Sequence, residues 1–165
     1  MHDALTIYFD GEKNAGLFLA GVGVAVIAAA VFMLRSRVGL RSFAVTLIVL
    51  AVAEIALGVG LYLRTGPQVS RLVAQMSSAE TRFYADEGTR MARVQKNFVT
   101  VEYIEVAIII LSAIVALTQK SRPGIAGVAL GLLIHGAILL AFDLIAERRG
   151  TAYEAAIARS GAPAR

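Results

Sequence analysis

Four apolar runs divide the chain, at residues 15–34, 43–63, 98–117 and 123–146. Each has about the 20 residues a helix needs to cross a hydrocarbon core of ~30 Å. Together they predict an all-α, polytopic membrane protein: a four-transmembrane-helix bundle forming a single membrane domain. The first run has no charged residue and is dense in small ones, with Gly16, Ala20, Gly21, Gly23 and Ala25 among them. Small residues let helix backbones approach closely in lipid, which marks this run as packing scaffold.

Between the second and third runs the pattern changes. Val69, Leu72, Val73, Met76 and Phe83 recur at helical spacing among Ser, Gln, Glu and Arg. This is one apolar stripe on a polar helix. Arg64 and the Thr65-Gly66-Pro67 step are expected to end the second span, with Pro67 in the first turn of a new helix. Residues 64–97 are thus expected to form an amphipathic extramembrane helical segment that lies on the bilayer or caps the bundle. Asp86-Glu87-Gly88 reads as a turn within it, after which Met91, Val94 and Phe98 resume the stripe. Residues 147–165 are expected as a tail that begins helical and ends loose around Ser160-Gly161-Ala162-Pro163. The acidic start, with Asp3, Asp10 and Glu12, lacks the basic flank of a signal peptide, so no cleavage is expected.

Composition agrees with the pattern. Hydrophobic residues make up 58% of the chain and charged ones only 17%, against about half and about a quarter in soluble domains. The absence of cysteine excludes thiolate catalysis, disulfide relays, iron–sulfur ligation and cysteine zinc sites. No tryptophan is present, so an interfacial belt must use Tyr and Phe, and all five tyrosines fall at or beyond one set of span ends. The net charge of +4 sits largely in short loops beside the spans. It points to lipid headgroups and topology rather than to nucleic acid.

Arg35, Arg37 and Arg41 form the first short loop and Lys120 and Arg122 the second, with no acid in either. Such loops face the cytoplasm of a bacterial inner membrane, leaving both termini and residues 64–97 outside. The two loops also suggest a weak internal repeat. Arg41 and Arg122 are 81 residues apart, and Glu54 and His135 share that offset.

The chemistry-bearing residues lie inside the spans. Glu54, Glu102, Glu105, His135 and Asp143 interrupt the apolar runs, which contain no Lys or Arg. An acid at mid-bilayer costs roughly 2.5–3.5 kcal/mol on insertion scales. Counting residues from the span ends puts Glu54, Glu105 and His135 at a common depth of about 10–14 Å. Glu102 shares a helix face with Glu105, His135 with Asp143, and Tyr62 with Glu54. Asn97, Arg93 and Arg90 continue the Glu105 stripe outward. The expected picture is a polar shaft, with Glu54, Glu105 and His135 at its floor and Glu102, Asp143 and Tyr62 at its mouth. Arg90, Arg93 and Asn97 stand at the rim.

Carboxylates with one imidazole suit Zn, Fe or Mn, or a set of groups that shares protons. The Glu-x-x-His of di-metal bundles is missing. One histidine in the spans excludes a bis-histidine haem within the chain. No nucleotide loop, Ser-His-Asp arrangement or HExxH motif occurs. Three readings stay open: a metal- or proton-binding protein serving transport or a membrane-embedded reaction, an assembly subunit using residues 67–97, and a small lipid- or quinone-modifying enzyme. Expected partners are the bilayer and a second copy or another membrane protein.

Overall fold

A computed structural model describes residues 1–36 and 39–161. Arg37 of the first basic loop and the tail residues 162–165 lie outside the described residues. The chain forms four helices: α1 (His2–Arg35), α2 (Arg41–Ser78), α3 (Glu80–Thr118) and α4 (Pro123–Gly161). They contain 34, 38, 39 and 39 residues. At 1.5 Å per residue each runs roughly 50–58 Å, nearly twice the ~30 Å of a hydrocarbon core.

Each helix is long and apolar enough to cross a membrane. The apolar stretches do not hide themselves in the protein. Between 11 and 28% of each is buried inside the chain, and side chains such as Leu17, Phe32, Leu57 and Leu111 point outward. A soluble helix would turn such residues inward, so these stretches carry the outward apolar surface of helices able to cross a membrane.

The helices pack as two hairpins, α1 with α2 and α3 with α4, joined through α2 and α4. Glycine sets the spacing at the first seam. A Cβ added at Gly16 would stand 2.6 Å from the Gly58 carbonyl oxygen, and one at Gly58 would stand 2.8 Å from the Ala20 nitrogen. The two backbones touch, as helices in lipid must if dispersion is to hold them. The α2–α4 seam uses the same device. A Cβ at Gly127 would lie 3.0 Å from the Phe43 nitrogen, and one at Gly131 would lie 2.9 Å from Thr46 Cγ2. The Ser42 hydroxyl donates to the Pro123 carbonyl at 3.3 Å. The offset of 81 thus reappears in space, at Ser42 with Pro123 and at Glu54 with His135.

The charged ends of all four helices gather at one end as a compact head. Leu5, Tyr8 and Phe9 of α1, Leu72 of α2, Phe83 and Met91 of α3, and Tyr153 and Ile157 of α4 form its core. Tyr8 and Tyr153 stack with centroids 4.6 Å apart, and Phe9 meets Tyr8 edge-on at 4.9 Å. This arrangement corrects three expectations. First, α2 does not end at Thr65-Gly66-Pro67 but carries Pro67 inside it and runs to Ser78. The Thr65 and Ser70 hydroxyls donate to the Leu61 and Gly66 carbonyls beside the proline, and burial of Leu72 beyond it offsets the missing N–H. Second, Asp86-Glu87-Gly88 lies within α3, and the chain reverses at Ala79 instead. Third, the tail, expected to begin helical and end loose, stays helical through Ser160 and Gly161, with Tyr153 and Ile157 in the core. Residues 64–97 are therefore the ends of α2 and α3, not a separate element.

Replacing Gly58 by Leu is expected to force α1 and α2 apart and to cost about 1–3 kcal/mol. Gly60→Leu, where a Cβ meets nothing within 4 Å, is expected to leave stability unchanged. Thermal unfolding of both variants in detergent, followed by circular dichroism, checks the difference.

Candidate functional site

Glu54 projects from α2 and His135 from α4, across the seam that Gly127 and Gly131 bring together. Glu54 is 2% exposed and His135 6%. Their closest approach, Nε2 to Oε1, is 3.7 Å, too long for a hydrogen bond. Neither Glu54 oxygen has any hydrogen-bond partner. A buried carboxyl group without a protein donor is unfavourable unless something else satisfies it.

A second group occupies the seam between α3 and α4. Glu105 is buried with its Oε2 unpartnered, and the Oε1 of Glu102 is likewise buried and unpartnered. Glu105 lies within electrostatic reach of Asp143 and Glu102, and Glu102 within reach of Glu147 and Asp143. These four acids form a ladder rising toward the head. Glu147 did not emerge from the sequence reading, which placed it in the tail. Its position four residues after Asp143, on the same helix face, is the signal that marks it.

The expected shaft is thus distributed over two seams. The structure brings Glu54 to His135, and brings Glu102, Glu105 and Asp143 to one another. Among the described residues no three His, Asp or Glu side chains are gathered as a set able to hold a metal ion. Of the rim residues, Tyr62 is exposed and lies under the Lys13 ammonium, 4.9 Å from ring centroid to nitrogen. Arg93 and Asn97 are exposed. Arg90 is turned into the head instead.

Arg90 explains how the head accepts a buried acid. Glu87 is 2% exposed and accepts from Arg90 Nε at 2.7 Å and Nη2 at 2.8 Å. The Tyr153 hydroxyl donates to it at 3.0 Å. The guanidinium also lies over the Phe9 ring at 5.6 Å. Burial opposes the Arg90 charge, but the bonds and charge of Glu87 outweigh it and raise its pKa. Burial also raises the Tyr153 hydroxyl, helped by the Glu87 charge. Tyr8, which donates to Glu12 at 2.8 Å, is raised by burial and then by Glu12. This network is complete where the seams in the apolar region are not.

Glu87→Ala is expected to leave the Arg90 guanidinium unpaired and to destabilise the protein by about 3–5 kcal/mol. Glu87→Gln is expected to cost less, because the amide oxygen still accepts. Denaturant unfolding of the two variants compares them. The tyrosines set a second expectation. A phenol held protonated by folding stabilises fully below its ordinary value of 10 and loses that contribution as pH rises toward the folded value. Stability should therefore fall above about pH 10, and Tyr8→Phe with Tyr153→Phe should flatten that fall. Unfolding midpoints across an alkaline series measure it.

Compared with known proteins, the chain matches no family model, no curated protein and no solved structure.

Proposed function

We propose that the chain is an integral membrane protein, a four-helix bundle of the bacterial inner membrane, whose buried acids and histidine take up and hand on protons. They would do so in the service of transport or of a membrane-embedded reaction. The single observation that carries this is Glu54, fully buried with neither oxygen hydrogen-bonded and His135 Nε2 3.7 Å away. The apolar runs contain no Lys or Arg to balance the acids. Their charge must be balanced by protons or by a bound cation. A divalent ion such as Zn, Fe or Mn needs several converging ligands, whereas a proton needs one basic atom. The Glu54–His135 pair stands apart from the acids of the α3–α4 seam, and that separation favours the proton.

Orientation follows the basic loops. Arg35, Arg41, Lys120 and Arg122 sit at the end opposite the head, so that end faces the cytoplasm and the head lies outside. A docking role for the 67–97 stripe has less support, because Leu72, Phe83 and Met91 are inside the head core. A lipid- or quinone-modifying role keeps one observation in its favour. An apolar groove of about 460 Å³ between α3 and α4, lined by Leu111, Ser112, Val115 and Leu132 among others, begins one helical turn from His135.

Infrared difference spectra of the protein in liposomes, taken between acid and alkaline buffer, test the proposal. A pH-dependent carboxyl band is expected in the wild type, lost in Glu54→Gln and displaced in His135→Ala, with metal content well below one ion per chain. A pH-invariant spectrum would count against it. So would a stoichiometric metal that Glu54→Gln removes.

A further inference from the structure

The outer ends of α1 and α4 enclose a cleft that the acids do not use. It has a volume of about 240 Å³ and is walled by Arg149 and Arg159, with Tyr8 and Tyr153 beneath and Ala4 and Ala152 at the sides. No acid lines it. The alanines leave the space open, and the stacked tyrosine pair gives it a rigid apolar floor.

Arg149 is held in place before any ligand arrives. Its Nη1 donates to the Gly11 carbonyl at 2.9 Å. Gly11 lets the side chain cross α1, since a Cβ there would stand 3.1 Å from Arg149 Cδ. Its Nε is buried and has no partner. Nε packs against Gly11 and is closed to a ligand, so Arg149 offers the cleft its positive charge, which no acid among the described residues pairs.

Position along the helix identifies the acceptor. Arg149 follows the apolar run ending near residue 146 by three residues, about 4.5 Å. That is the level of lipid phosphates, where a guanidinium makes its strongest paired contacts. Arg159 stands ten residues further out, so the cleft extends from the phosphate level into the headgroup layer. Below Arg149 the same two helices present the parallel rings of Phe18 and Phe142, with centroids 6.5 Å apart. Both rings belong to the apolar runs and lead down toward the bilayer interior.

We propose that the cleft between the outer ends of α1 and α4, walled by Arg149 and Arg159 over the Tyr8–Tyr153 pair, binds the headgroup of an anionic phospholipid. The phosphate sits against Arg149, the rest of the headgroup reaches toward Arg159, and the acyl chains descend along the seam at Phe18 and Phe142. Bound lipid ties α1 to α4, which touch far less than α1 and α2 do.

The test uses delipidated full-length protein in a non-ionic detergent and reads the thermal unfolding midpoint as lipid is added. Phosphatidylglycerol is expected to raise the midpoint, while phosphatidylcholine and inorganic phosphate leave it in place. Arg149→Gln with Arg159→Gln is expected to weaken the phosphatidylglycerol effect about tenfold in concentration or more. Arg148→Gln, an exposed arginine that does not line the cleft, should respond as the wild type does. Ala152→Phe fills the cleft without altering charge and should abolish the effect, so the outcome does not depend on the arginine variants folding. The proposal fails if phosphatidylglycerol stabilises the filled-cleft variant as it does the wild type. It fails equally if inorganic phosphate matches the lipid, which would make the cleft a free-anion site.

Discussion

Helices whose surroundings are apolar gain nothing by hiding apolar side chains from water, so they associate only where their backbones can come close. In this chain the seams that do so meet on α2. Gly16 and Gly58 bring α1 against one side of it, and Gly127 and Gly131 bring α4 against another. The rest of the apolar region depends on these contacts. They place Glu54 and His135 opposite each other, and they make α2 and α4 the central pair from which α1 and α3 are hung.

In the proposed membrane setting the same four helices answer to two different solvents along their length. In the head, water drives Leu5, Phe9, Phe83, Met91 and Tyr153 together, and a buried acid is tolerated because Arg90 and Tyr153 satisfy it. In the apolar stretches Glu54 and Glu105 are buried, and they and one inaccessible oxygen of Glu102 have no such partners. An ion pair that is fully met is structural. A carboxyl group that is not met is available for exchange, and this contrast within one chain is why the proposed function is placed on the seams and not in the head.

Much of this was legible in the sequence. The apolar runs gave the number of spans, small residues marked α1 as scaffold, and depth counting put Glu54 and His135 at one level. What counting along one helix cannot supply is the neighbour across from it. Glu105 and His135 have similar depths, yet Glu105 meets Asp143 and Glu102 on the α3–α4 seam while His135 meets Glu54 on the α2–α4 seam. Local rules also lost to packing. Pro67 and the Asp-Glu-Gly triplet are ordinary breakers, but the head core requires Leu72, Phe83 and Met91 on unbroken helices. Arg90 at three residues from Glu87 was a readable signal for that pair. Tyr153, 66 residues away, was not.

The central claim is that Glu54 and His135 face each other, unscreened, within the apolar part of the protein. A carbon–nitrogen dipolar distance by solid-state NMR, between the labelled Glu54 carboxyl and the His135 ring in lipid bilayers, measures this directly. A measurable coupling is expected, in keeping with the 3.7 Å separation of Nε2 and Oε1, and its loss is expected in Gly131→Leu, which pushes α4 off α2. Absence of coupling in the wild-type protein would contradict it.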